Sequence, residues 1–163
     1  MRLLVIFFCV WMLSCAAPKR GVLQRNDEFT LAGWKPHYAG AALMAVSGAA
    51  WGVHETSVHH PDRFPSNWNK QYWDNRLSWR NKYQDGDPAK GPAYPGSTTV
   101  LAWTTDAKHL FGTIHRTTLY GAAVVITIGR RRPLAHYLAD ALLSFAAHSI
   151  GFHGIYSLAF RPN

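Results

Sequence analysis

Apolar residues are concentrated in four stretches of the chain, and a long polar segment separates the second stretch from the third. The stretches cover residues 3–17, 37–58, 98–129 and 133–160. Apolar runs of this length, bounded by Gly and Pro, favour helices over strands. The sequence predicts an all-α fold, a small bundle of about three membrane-associated helices after an N-terminal signal or anchor segment. Residues 37–163 would form a single helical domain with one long aromatic-rich loop over residues 61–96.

The first apolar stretch follows Arg2 and is too short for a bilayer span, which needs roughly 20 residues. Its length is typical of the core of a signal peptide. Leu13-Ser14-Cys15 resembles a bacterial lipobox, which implies lipidation at Cys15. Residues 1–17 are therefore predicted to be a lipoprotein-type signal peptide and residues 18–36 a polar connector. The alternative is an uncleaved anchor helix with Lys19 and Arg20 on its cytoplasmic side.

Glycines interrupt the second stretch at positions 40, 48 and 52. In water each glycine would cost a helix about 1 kcal/mol, whereas in a membrane small residues let helices approach closely. This stretch is predicted to be membrane-embedded or tightly packed against other helices. The last two stretches meet at Gly129-Arg-Arg-Arg-Pro133, a sequence that predicts a tight turn and therefore a helical hairpin.

The polar segment between the second and third stretches is rich in aromatic residues. Such residues are typical of the membrane–water interface, although they also stack on sugars or bases. We predict that four of them lie at this interface: Trp68, Trp73, Trp79 and Tyr83.

Ionisable side chains gather at one predicted level of the bundle. If both helices of the hairpin rise equally from the turn, His109 lies level with His153. The end of the first long helix would reach the same rim. The rim would contain Asp106, His109, His153, His54 and Glu55. Three interpretations remain open: a polar network that holds the helices in register, a site for a divalent metal such as zinc or iron, and a proton relay.

A second group of candidates lies on the last helix and includes His148 near its end. Arg130, His136 and Asp140 have the spacing Arg-x5-His-x3-Asp, which resembles the last motif of the phosphatidic-acid phosphatase superfamily, whose nucleophile is a histidine. The preceding Pro-Ser-Gly-His motif of that superfamily is not found in the sequence. Its nearest counterpart, residues 95–98, lacks the proton-donating histidine. The motif therefore supports a phosphatase-like enzyme only as an alternative.

Composition favours a lipid partner over nucleic acid. Charged residues make up 16% of the chain, against about 25% in soluble domains. The formal net charge is +8, but the basic residues are scattered apart from Arg130–Arg132, and no nucleic-acid-binding motif is present. Anionic lipid headgroups suit such a charge. Both cysteines, Cys9 and Cys15, lie in the first apolar stretch, so no disulfide is predicted in the folded body.

Three segments resemble a known group of proteins: residues 48–55 (GAAWGVHE), 73–83 (WDNRLSWRNKY) and 95–110 (PGSTTVLAWTTDAKHL). They are similar to small helical membrane proteins and lipoproteins of Bacteroidota, over roughly residues 45–160. The resemblance implies a bacterial cell envelope location, either in the inner membrane or as a periplasmic lipoprotein, and no activity. We therefore expect a structural or interaction role in the envelope, with the lipid bilayer and other envelope proteins as partners. The alternative is a small membrane enzyme or metal-binding protein that uses the His/Asp cluster.

Overall fold

The computed structural model of the chain describes residues 31–127 and 134–161, with side chains from residue 37 onward. The predicted signal segment, Cys15 and Arg130 lie outside the described residues. The chain divides into two units, of which the second begins at Trp34. The second unit contains nearly all of the described residues. These residues are mostly helical and include no β-strand, which confirms the all-α prediction for the described part of the chain.

Three long helices dominate this unit. They are α1 (Leu31–His59), α4 (Ala107–Thr127) and α5 (Leu134–His153), and a π-helix over Gly154–Ala159 continues α5. Two one-turn helices, α2 (Lys70–Trp73) and α3 (Asn75–Ser78), lie between α1 and α4. Among the described residues, no helix combines the length and the apolar composition needed to cross a bilayer.

Glycines bring α1 and α5 into backbone contact. A Cβ atom added at Gly48 would collide with the carbonyl oxygen of His148, and one added at Gly151 would collide with that of Ala45. On the other side of α1, Gly112 of α4 faces the ring of His54. The close approach expected from the glycine content is therefore observed. The pairs of residues in contact show that α5 runs parallel to α1 and that α4 runs antiparallel to it.

The interior of the bundle is polar and its exterior is apolar. The fully buried side chains of largest volume are His37, Thr56 and Asp106, while the buried apolar residues of the long helices are small, namely Ala50, Val53, Ala107 and Ala122. The outward face of α5 exposes more than half of each of five large apolar side chains: Leu134, Leu138, Leu142, Phe145 and Ile150. In a water-soluble domain, by contrast, large apolar side chains are mostly buried and polar side chains are mostly exposed.

The segment predicted to be a loop is built from short helices. Apart from α2 and α3, it contains 3₁₀ turns at Pro61–Arg63, Trp79–Lys82, Gln84–Gly86 and Pro88–Lys90. Side chains cap several of these turns, because Asn69 accepts a hydrogen bond from the backbone N–H of Gln71 and Asp87 accepts one from that of Ala89. Such local bonds explain how a segment without hydrophobic periodicity becomes regular.

The third apolar stretch becomes helical later than predicted. The prediction was a helix from residue 98, whereas α4 begins at Ala107. Before it, Thr104 and Thr105 donate their hydroxyl groups to the carbonyl oxygens of Leu101 and Ala102, within a 3₁₀ turn over Ala102–Thr104. Threonine hydroxyls compete in this way with helical backbone bonds, so the continuous helix begins only after these residues.

Candidate functional site

Asp106 immediately precedes α4 and caps it. The carboxylate is fully buried, and its Oδ1 accepts a hydrogen bond from the backbone N–H of His109 at 2.8 Å. Both carboxylate oxygens also lie 2.8 Å from Nδ1 of the His109 ring. The hydroxyl of Thr105 donates to Oδ2 at 3.2 Å. Asp106 therefore satisfies an orphan N–H group at the helix start and fixes the orientation of the imidazole.

Hydrogen bonding keeps Asp106 ionised although it is buried. Burial alone would raise the pKa of its carboxyl group, but the bonds from the side chain and backbone of His109 and from Thr105 outweigh burial, so that pKa lies below its usual range. An ionised carboxylate can only accept hydrogen bonds. Nδ1 of His109 therefore carries a proton and donates it to this carboxylate, on a side chain that is 31% exposed. Burial and the charge of Asp106 together raise the pKa of Tyr72.

His54 and Glu55 form a second pair near the end of α1. Nδ1 of His54 lies 3.3 Å from Oε1 of Glu55, whose Oε2 lies 3.4 Å from Nε2 of His59. The indole of Trp51 stacks on the His54 ring, with 4.5 Å between ring centroids. Because Gly112 faces His54, this pair lies against the first turns of α4.

His153 lies apart from both pairs. It is exposed, and its Nδ1 is 3.1 Å from the hydroxyl of Ser157 in the π-helix that follows α5. The structure therefore arranges the five predicted rim residues as two pairs and a separate histidine. Within residues 31–127 and 134–161, no group of three or more His, Cys, Asp or Glu side chains is placed to hold a metal ion.

The sequence predicts only two of the three members of the most deeply buried ionisable cluster. Nδ1 of His37 is hydrogen-bonded to Oδ1 of Asp140, and its Nε2 lies 3.0 Å from Nδ1 of His136. All three residues are at most 5% exposed. The spacing of His136 and Asp140 revealed that they share a helix face, but His37 comes from α1 and no local pattern links it to them. The cluster joins the start of α1 to the start of α5.

Another cluster of polar and aromatic side chains joins the middle of all three long helices. Nδ1 of His115 lies 2.9 Å from the hydroxyl oxygen of Ser47 and 3.1 Å from its carbonyl oxygen. The same ring meets Trp51 at 4.7 Å and, edge-on, His148 at 5.8 Å between centroids. His148, a secondary candidate, is therefore placed beside His115 rather than beside His136 and Asp140.

The four predicted interface aromatics belong to two groups. Trp68 and Trp73 pack together at 4.4 Å between ring centroids, and Phe64 contacts both. Trp79 contacts Tyr83 instead, edge-on at 6.2 Å. The indole of Trp79 is 37% exposed and lies under the guanidinium of Arg80.

No protein-family model, curated protein or solved structure matches this chain. The resemblance to Bacteroidota membrane proteins therefore stays a prediction. Any functional argument depends on the geometry of the described residues.

Proposed function

We propose that the protein is a membrane-associated component of the bacterial cell envelope with a structural or interaction role. The lipid bilayer would be its partner, and the His/Asp clusters would hold its helices in register. The observation that carries this proposal is the outward face of α5, where Leu134, Leu142 and Phe145 are each exposed by more than 70%.

Exposure of so many large side chains to water is unfavourable. Burying a Leu, Ile or Phe side chain contributes roughly 1.5–3 kcal/mol relative to exposure. An apolar patch that spans a 20-residue helix is typical of a surface that contacts lipid or another protein. A bilayer also suits the net charge of +8, because Lys and Arg bind anionic headgroups.

The polar interior suits the same environment. Between helices that face lipid, hydrogen bonds between polar side chains and close packing of small residues supply the association energy. The His37–Asp140 and Ser47–His115 bonds each connect two different helices. They fix the axial position of α1 against α5 and α4, which is the role that we assign to them.

Liposome flotation of the purified full chain tests the proposal. We expect the protein to float with vesicles that contain anionic phospholipid. Leu142→Asp and Phe145→Asp should each lower the floating fraction, because a charged side chain is costly in hydrocarbon. Gln84→Asp, at an exposed position of the segment between α1 and α4, is the matched control and should float like the unaltered chain.

A protein that stays monodisperse in buffer without detergent and does not float would overturn the proposal. Equal flotation of the Leu142→Asp, Phe145→Asp and Gln84→Asp variants would show that the outward face of α5 does not contact lipid.

One observation favours a second function, that of a metal-binding protein or small enzyme. The buried carboxylate of Asp106 accepts a hydrogen bond from Nδ1 of His109 and so orients the ring, an arrangement also found around histidines that bind a metal. If this site acts, His109→Gln should lower zinc binding, measured by calorimetry, or hydrolytic activity toward a lipid phosphate. His153→Gln is the control, since His153 contacts only its own helix and the following π-helix. No difference between the two variants would remove the second function.

A further inference from the structure

A cavity of about 200 Å³ opens beside α2, and none of the functions above uses it. Phe64, Trp68 and Trp73 form its aromatic wall, and its polar lining comes from Asp62, Ser66, Lys70 and Asp74. Binding pockets for drug-sized ligands span roughly 300–1,000 Å³. This cavity is therefore of a size for one small ring.

Aromatic residues outside the cavity pack against this wall. Phe160, which follows the π-helix, packs edge-on against Phe64 at 4.7 Å and against Trp68 at 6.1 Å between ring centroids. On the other side, Phe111 of α4 contacts Trp73 at 5.9 Å. The rings are thus positioned by α4 and by the residue that follows the π-helix, as well as by the local segment, and a ligand would meet a preformed surface.

The charges at the cavity cancel. Arg76 forms ion pairs with both carboxylates, at 2.7 Å to Asp74 and 2.9 Å to Asp62. These pairs hold the pKa of Asp74 below its usual range and raise that of Arg76. With Lys70 included, two positive charges balance two negative ones. The cavity therefore favours neither a cation, such as a quaternary ammonium group, nor an anion, such as phosphate.

We propose that this cavity binds a neutral pyranose ring, such as one sugar unit of a glycan. A pyranose has a C–H face that suits the electron-rich face of an indole ring. Its hydroxyl groups both donate and accept hydrogen bonds, which fits a lining with the exposed carboxylate of Asp62, the hydroxyl of Ser66 and the ammonium of Lys70. The proposal does not depend on membrane association.

The test is a titration of the full chain in detergent, followed by intrinsic tryptophan fluorescence. The probes are glucose and N-acetylglucosamine, with choline and inorganic phosphate as charged comparisons. We expect at least one sugar to saturate with a dissociation constant of about 1–10 mM, as for a small ligand with few contacts. Choline and phosphate should show no saturation over the same range.

Trp68→Ala removes one face of the wall and should weaken sugar binding by about tenfold or more. Trp79→Ala is the matched control, because Trp79 lies outside the cavity lining, and it should leave binding unchanged. If Trp68→Ala disturbs folding, as judged by circular dichroism, Ser66→Ala tests the lining without altering the aromatic packing. It should weaken binding by about five- to tenfold through the loss of one hydrogen bond.

Three results would overturn the proposal. These are the absence of saturation by either sugar up to about 100 mM, tighter binding of choline or phosphate than of sugar, and equal weakening by Trp68→Ala and Trp79→Ala. If Ser66→Ala is used instead, unchanged sugar affinity of that variant would also overturn the proposal.

Discussion

Asp106 combines two tasks in one side chain. It caps α4 through the backbone N–H of His109, and it orients the ring of the same residue. Each task uses carboxylate oxygens as hydrogen-bond acceptors, and the hydrogen bonds around Asp106 hold the pKa of the buried carboxyl group below its usual range. Structure and candidate chemistry are therefore coupled at this position, and a stability measurement must accompany any activity measurement.

Replacement of Asp106 by Ala should lower the free energy of unfolding by about 1–2 kcal/mol, because the start of α4 loses its cap. Chemical denaturation followed by circular dichroism measures this change. Asp87→Ala is the control, since Asp87 is exposed and caps only a 3₁₀ turn, and it should cost less. A loss at Asp87 as large as that at Asp106 would contradict the assigned role of the cap.

Asp74 should make the segment between α1 and α4 sensitive to acid. The hydrogen bond from Arg76 holds the pKa of this carboxyl group below its usual value. A carboxyl group with a folded-state pKa below its unfolded-state value of about 3.9 stabilises the fold above that value. The stabilisation is lost as the pH falls through the folded-state pKa. Stability measured from about pH 5 downward should therefore decline less in Asp74→Asn than in the unaltered chain.

Sequence reasoning at the residue scale succeeded where partners are close in the chain. The spacing of Asp106 and His109 predicts their contact, and the spacing of His136 and Asp140 places them on one face. It did not find His37, because that contact depends on how α1 packs against α5. It also placed His153 at the rim, since equal rise along the hairpin gives the level of a residue but not its direction around the helix.

At the scale of elements, the contact between α1 and α5 depends on the absence of a Cβ atom at glycine. Gly48 and Gly151 let the backbone of each helix touch the other. The sequence predicted this closeness from Gly40, Gly48 and Gly52, and a Cβ atom added at any of the three would lie 3.0 Å or less from an atom of α4 or α5. It did not predict which glycines of the last helix would take part. Not every glycine marks a helix contact, because no atom lies within 4 Å of a Cβ atom added at Gly154.

Gly48→Ala should destabilise the protein by about 1–3 kcal/mol, because the added methyl group forces α1 away from the backbone of His148. Gly154→Ala provides a matched control, with a change within about 1 kcal/mol and of either sign. Thermal unfolding in detergent compares the two variants. If Gly48→Ala were as stable as Gly154→Ala, the helices would not be in backbone contact at this position.

Only some helix boundaries were predicted. α1 begins at Leu31 rather than at residue 37, and α5 ends at His153 rather than near residue 160, although a π-helix continues it to Ala159. The end of α1 and the beginning of α5 lie within one residue of the prediction. The beginning of α4 does not, because Thr104 and Thr105 bond to the backbone of the preceding turn. Likewise, the short helices of residues 61–96 depend on individual caps such as Asn69, which hydrophobic periodicity does not report.

At the scale of the whole molecule, the proposed envelope location makes a prediction for a residue outside the described part of the chain. If residues 1–17 are a lipoprotein signal peptide, Cys15 becomes the lipidated first residue of the mature protein. The intact mass of protein purified from membranes should then correspond to a chain that begins at Cys15 and carries acyl groups. Cys15→Ser should abolish this species, whereas Cys9→Ser should still mature to it. An intact mass that includes residues 1–14 would support the anchor helix instead.

The polar interior and apolar exterior of the bundle also determine its calorimetric behaviour. The heat-capacity increment of unfolding arises mainly from apolar surface that becomes hydrated, and it averages about 12–15 cal/mol/K per residue in water-soluble proteins. Here the buried side chains of α1, α4 and α5 are small or polar, and the large apolar ones already face outward. In detergent these outward side chains stay covered during unfolding. Scanning calorimetry should therefore yield an increment per residue well below that average.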